Sequence, residues 1–168
     1  MPSCFNILGG TMTYIKEKFY LNKTVSEPAN QTISGSYVEI TGSNCYVDPK
    51  SSTSKLVYKF SFFVKALRST DILHVKLQKS NDGFSSNIVD VEGANFNIKN
   101  DGPQDEYSLS QVSSTMFTID SFSIPHSLRI VCRNYNPTRT VKTHTIEFFD
   151  GINPNNVFYN TSLVVFEV

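Results

Sequence analysis

The side chains of this chain that could bind a metal or perform catalysis are few and scattered. Its three histidines, His74, His126 and His144, fall on three separate segments, and no two have metal-ligand spacing, so they read as ordinary polar-face or loop residues. Its three cysteines, Cys4, Cys45 and Cys132, are far apart, and no Cys-x-x-Cys occurs. Asp90 and Glu92 lie two apart, so a strand would hold both on one face, as an acid pair or as oxygen ligands for calcium. A calcium loop needs more acidic ligands and a dedicated glycine, which are missing here. A solvated strand face accounts for the pair without any chemistry. A glycoside hydrolase would need two carboxylates on facing strands, which spacing along the chain does not place. No Gly-x-Ser-x-Gly, phosphate-binding loop or dinucleotide fingerprint is present. The expectation is a protein that is not an enzyme, with no catalytic residue, no metal and no cofactor.

Other candidates point to partners rather than reactions. Phe149, Phe158 and Tyr159 could form an aromatic partner-binding patch, although core packing explains them equally well. Lys55, Lys59, Lys65, Lys76 and Lys79 read as solvated strand faces or edges, where lysine discourages edge-to-edge aggregation. Asn22, Asn30 and Asn160 begin Asn-x-Ser/Thr sequons, a weak signal in a chain so rich in Asn, Ser and Thr. The odd, dispersed cysteines suit free thiols made in a reducing compartment, with one disulfide plus a free thiol as the alternative.

With 168 residues, 15 Lys plus Arg and 15 Asp plus Glu, the chain suits one globular domain of zero net charge. Neutrality removes the electrostatic case for nucleic-acid binding. The chain also lacks the net charge that would keep an isolated protein soluble, so association with partners, a homo-oligomer among them, is expected. The opening MPSCFNILGG has no basic leader, so no signal peptide is expected, and no apolar run approaches a membrane span.

The elements that must position these residues read as strands. Lys55–Lys79 holds two alternating runs. In Leu56–Val64, Leu56, Tyr58, Phe60, Phe62 and Val64 share one parity. In Ile72–Gln78, Leu73, Val75 and Leu77 do so. The link Ala66–Asp71 fits either a hairpin loop or a crossing between sheets. Further strands are expected at Met12–Tyr20, Ser36–Ile40, Asn44–Val47, Asn87–Val91, Ala94–Ile98, Ser114–Ile124, Ser127–Tyr135, Thr140–Phe149 and within Val157–Val168. Turn signals lie between them, among them Thr41-Gly42-Ser43, Asn81-Asp82-Gly83 and Asp150-Gly151. Thirteen Phe and eight Tyr without any Trp suit strands more than helices. The fold class expected is all-β: an antiparallel two-sheet sandwich, a single jelly roll of about eight strands over residues 1–168, with a short arm at 1–11. An immunoglobulin-like sandwich is the second choice, weakened by the missing tryptophan.

Two stretches resemble known modules. Ser36–Phe63, SYVEITGSNCYVDPKSSTSKLVYKFSFF, resembles jelly-roll head modules of viral fibre and capsid proteins: a short β run, a Pro/Ser turn, then a Ser-Lys-apolar-apolar-Tyr-x-Phe strand. Arg139–Val168, with a basic and histidine-bearing strand, the Asp150-Gly151 turn and a final apolar strand, resembles their closing part. The resemblance implies a virion structural protein of a large DNA virus of algae or amoebae. It would be a minor capsid subunit that cements or decorates the lattice, assembled in the host cytoplasm. Its partners would be the major capsid protein and other capsid subunits. The same fold also serves trimeric receptor- or carbohydrate-binding heads and ligands of the tumour-necrosis-factor and C1q type, and enzymes such as cupins.

Overall fold

The computed structural model describes residues 13–19, 31–49, 55–67, 71–99, 109–120, 126–144, 147–148, 156–157 and 161–167. All regular structure among them is β. The strands are β1 (Thr13–Phe19), β2 (Gln31–Ile33), β3 (Val38–Glu39), β4 (Cys45–Val47), β5 (Leu56–Leu67), β6 (Ile72–Ser80) and β7 (Ile88–Lys99). They continue with β8 (Leu109–Ile119), β9 (His126–Asn134), β10 (Val141–Thr143), β11 (Glu147–Phe148), β12 (Asn156–Val157) and β13 (Ser162–Glu167).

Every pairing is antiparallel, and the pairings nest. β1 pairs with β13, β3 and β4 with β9, β5 with β8, and β6 with β7. β5 also pairs with β13, and β6 with β9, which gathers the strands into two sheets. Sheet A runs β1-β13-β5-β8. β10 shares the β13 side of β5 and carries β2 beyond it. Sheet B runs from β3 and β4 through β9 and β6 to β7. Taking β3 and β4 as one interrupted strand, the eight main strands lie in the order 1-8-3-6 over 2-7-4-5, the path of a single jelly roll.

The two central runs of the chain are therefore not a hairpin. β5 belongs to sheet A and β6 to sheet B, so the chain changes sheet between them. Their alternating apolar residues face one another across the sandwich. Leu56, Tyr58, Phe60, Phe62 and Val64 meet Leu73, Val75 and Leu77, with Leu128, Ile130 and Cys132 of β9 and Leu163 and Val165 of β13. Asp71, at the start of β6, is buried and accepts a hydrogen bond from Asn134 Nδ2 at 2.9 Å. Beside it, Tyr135 N donates to Ile72 O at 2.8 Å, which ties the crossing to the end of β9. A buried carboxylate is tolerated there because it is hydrogen-bonded.

Local chemistry explains where the elements differ from the sequence expectation. Asn87–Val91 and Ala94–Ile98 are one strand, β7, interrupted by a bulge. Gln78 faces Asp90 while Lys76 faces Asn95, so residues 91–94 stand opposite Leu77 alone. Gly93, at φ +71°, supplies the left-handed conformation. Thr140–Phe149 is likewise two strands, because His144 at φ +63° ends β10. The Asn81-Asp82-Gly83 signal does form the β6–β7 turn. Asp82 accepts from Ser80 Oγ, Ser85 N, Ser86 N, Ser86 Oγ and Asn87 N at 2.6–3.1 Å. Those donors hold its carboxyl well below the usual range, the Ser80 hydroxyl contributing most.

Candidate interaction surface

The outer faces of the two sheets differ in kind. On sheet B, alternation turns His74, Lys76 and Gln78 of β6 outward beside Arg129, Val131 and Arg133 of β9. Most of these side chains engage one another, although Arg133 Nε is buried without a hydrogen-bond partner. Tyr37 OH hydrogen-bonds His74 Nδ1, Lys76 Nζ lies 4.2 Å from the Tyr37 ring centroid, and Arg133 covers the same ring at 5.0 Å. Arg129 bridges to Glu39 at 3.3 Å and to Gln78 at 3.1 Å, and its guanidinium stacks 4.1 Å from the Phe84 ring centroid. Lys76 and Gln78 both donate to Asp90, at 2.7 and 2.9 Å. Partial burial works to raise the Asp90 carboxyl, but those hydrogen bonds and the Lys76 charge outweigh it and leave it lowered. Much of this face is thus a polar and aromatic network, with Tyr46 of β4 left exposed beside it.

Sheet A is the opposite. Its cross-strand registers place Phe166 and Val57 beside Thr118, Val164 and Lys59 beside Met116, Ser162 and Ser61 beside Ser114, and Phe63 beside Val112. Met116 is 67% exposed and Val112 43%. Phe63, Val57, Val164 and Phe166 are half-buried, so their outward surfaces reach solvent. The polar members are neutral, apart from Lys59, and Ser61 Oγ and Ser114 Oγ satisfy each other at 2.8 Å. Charge gathers at the margins of the face, where Glu17 is in register with Val164 and Lys65 with the exposed Lys142, so the apolar centre is the part that can shed its water cheaply on contact with another surface.

One cavity of about 510 Å³ opens between the sheets at the β7 bulge, lined by Lys79, Asp90, Glu92 and Asp120 among others. Asp90 and Glu92 thus do share a side of β7, and Asp120 joins them from the end of β8. The carboxylates are engaged elsewhere or solvated: Asp90 with Lys76, and Asp120 with Lys55 at 3.2 Å. Among the described residues no group of three His, Cys, Asp or Glu side chains is placed to hold a metal ion.

The other sequence candidates distribute as follows. Phe149, Phe158 and Tyr159 lie outside the described residues, as do Cys4 and the sequon asparagines. Cys45 and Cys132 are buried free thiols. Cys45 faces Leu128 on β9, four residues from Cys132 and so about 13 Å along the strand, too far for a disulfide. Burial pushes the Cys132 thiol up to about 12, which makes it inert. His74 sits on the polar face as expected, but His144 does not: it is buried, with Nδ1 2.8 Å from Thr161 Oγ1. Tyr58 is also buried and donates from its phenol to Ser43 O. Ser43 Oγ in turn donates to Ile130 O and accepts from Ile130 N. Burial, reinforced by Cys45, raises the Tyr58 phenol well above its usual range despite that hydrogen bond. This network pins the turn before β4 to β9. Val112 was missed in the sequence because the strand was expected to start at Ser114 whereas β8 starts at Leu109, and Met116 because it shares a parity with Thr118 and Asp120 in a mixed pattern.

No helix of the described residues is long and apolar enough to cross a membrane. No family model and no curated protein matches this chain.

Proposed function

We propose that this chain is a structural protein that works by contact: a minor capsid subunit of a large DNA virus, cementing or decorating the lattice through the outer face of sheet A. The carrying observation is the contiguous group of apolar side chains at the centre of that face. Val112, Met116 and the half-buried Phe63, Val164 and Phe166 adjoin one another there around a single charged side chain, Lys59, whereas the exposed apolar side chains of sheet B, Tyr46, Ile88 and Val89, lie at its margins. Free, buried thiols and the jelly-roll strand order accord with this reading. The capsid assignment itself rests on the resemblance of Ser36–Phe63 and Arg139–Val168 to capsid and fibre-head modules, since fold alone does not choose a function. The partner is the major capsid protein or a neighbouring subunit, and a specific contact would bury about 1,000 Å² or more.

The test is to quantify the protein in purified virus particles and to cross-link it there. Fixed stoichiometry, with cross-links from sheet A to capsid subunits, is expected. A protein absent from particles, or one released from them by free glycans, overturns the reading in favour of a receptor- or carbohydrate-binding head.

A further inference from the structure

We infer that β8 is a self-pairing edge: β8 of a second copy adds antiparallel across a two-fold axis at Ser114, joining two copies of sheet A into one continuous sheet. This deepens the contact reading of sheet A and rests on it only in taking that sheet as the working surface.

Among the described residues β8 pairs with β5 alone, so its other edge offers a row of backbone donors and acceptors along a strand of 11 residues. Such edges are normally blunted by charge, proline, a bulge or brevity. The sequence LSQVSSTMFTI contains no Asp, Glu, Lys, Arg, Pro or Gly. The other exposed edge on this side of the sandwich, β7, carries Asp90, Glu92 and Lys99 and a bulge at Gly93.

The pattern of β8 also names its partner. In an antiparallel pair centred on Ser114, Val112 of one copy faces Met116 of the other, and this happens twice. Ser113 faces Thr115, and Ser114 faces itself. Next to the axis the outward pair is apolar against apolar and the inward pair hydroxyl against hydroxyl, as suits one strand meeting itself across a two-fold; further out Ser110 comes opposite Thr118, Gln111 opposite Phe117 and Leu109 opposite Ile119. Both exposed apolar side chains among the described ones of the strand, Met116 and Val112, are used by this single register. A strand of unrelated sequence would not need that palindrome.

Sedimentation over a concentration series should give a monomer–dimer equilibrium. Met116→Lys, entered twice by the symmetry, should raise the dissociation constant about tenfold, while far-UV circular dichroism and the melting midpoint confirm that it still folds. Register is read separately in a Cys4→Ser background under oxidised glutathione. Ser114→Cys should give an interchain disulfide, because directly opposed antiparallel residues meet the geometry. Met116→Cys should not, because two copies of position 116 lie four residues out of register. Mixing Val112→Cys with Met116→Cys protein should restore the cross-link. A monomer at all concentrations, a trimer, or a dimer without the Ser114→Cys cross-link overturns the proposal. A monomer found at fixed stoichiometry in particles sinks the edge pairing alone. A dimer absent from particles sinks the capsid reading alone.

Discussion

Among the described residues β7 and β8 are the outermost strands on one side of the sandwich, one in each sheet, and they touch through Phe96 and Phe117, whose ring centroids lie 6.1 Å apart. β7 bears charged residues, a positive-φ glycine and a three-residue register offset. β8 holds its register against β5 without a break from Leu56↔Ile119 to Val64↔Gln111 and carries no charge. Both edges sit in the same solvent and the same fold, so the fold does not explain the difference. Where one of two neighbouring edges is guarded against pairing and the other is not, the unguarded one is the edge the molecule can use.

Four perturbations break or sharpen this contrast. The largest effect belongs to the ring pair that holds the two edges together. Phe96→Ala or Phe117→Ala should each cost about 2 kcal/mol, roughly half the loss at a fully buried phenylalanine, since both rings are half-buried. The melting midpoint should fall by about 4–8 °C, and a double-mutant cycle should return a coupling of about 0.5–1.5 kcal/mol. Next comes the bulge. Gly93→Ala meets no atom within 4 Å, so its cost is the backbone conformation alone, about 1–2 kcal/mol by denaturant titration. If that variant is as stable as the parent, the bulge is not held in the left-handed conformation.

The third concerns the turn that leads into β7. The folded Asp82 carboxyl is lowered, so its contribution is complete above the ordinary aspartate value of about 4 and is lost as pH falls through the folded value. Exchange of the Ser86 and Asn87 amides, which donate to that carboxylate, should therefore stay slow relative to intrinsic rates down through pH 4 and be released only in stronger acid. Asp82→Asn should release them at neutral pH. The smallest effect on stability is expected at β8 itself. Met116→Lys should change the unfolding free energy by less than about 0.5 kcal/mol, as for an ordinary surface site, so any loss of association it causes belongs to the contact.

Much of the fold was legible because strand alternation is a local signal. Tyr58, Phe60 and Phe62 declared their buried face in the sequence, and Asn81-Asp82-Gly83 declared the β6–β7 turn. The crossing after β5 was not decidable, since the same short link serves a hairpin or a change of sheet, and only the long-range pairings of β5 with β8 and β13 decide it. His144 was misjudged as a polar-face or loop residue because its burial comes from Phe62, whose ring lies 6.5 Å away, and from Thr161, 17 residues further on. The contact surface was the least legible part. Val112 and Met116 acquire meaning only once β8 is known to be an edge, a property of sheet order that no local pattern encodes.

The most direct measurement is amide hydrogen exchange at low and high protein concentration, resolved to β7 and β8. The account predicts that β8 amides around Ser114 gain protection as concentration rises, while β7 amides do not change. Protection that is independent of concentration in both strands, or that rises on β7 instead, would contradict it.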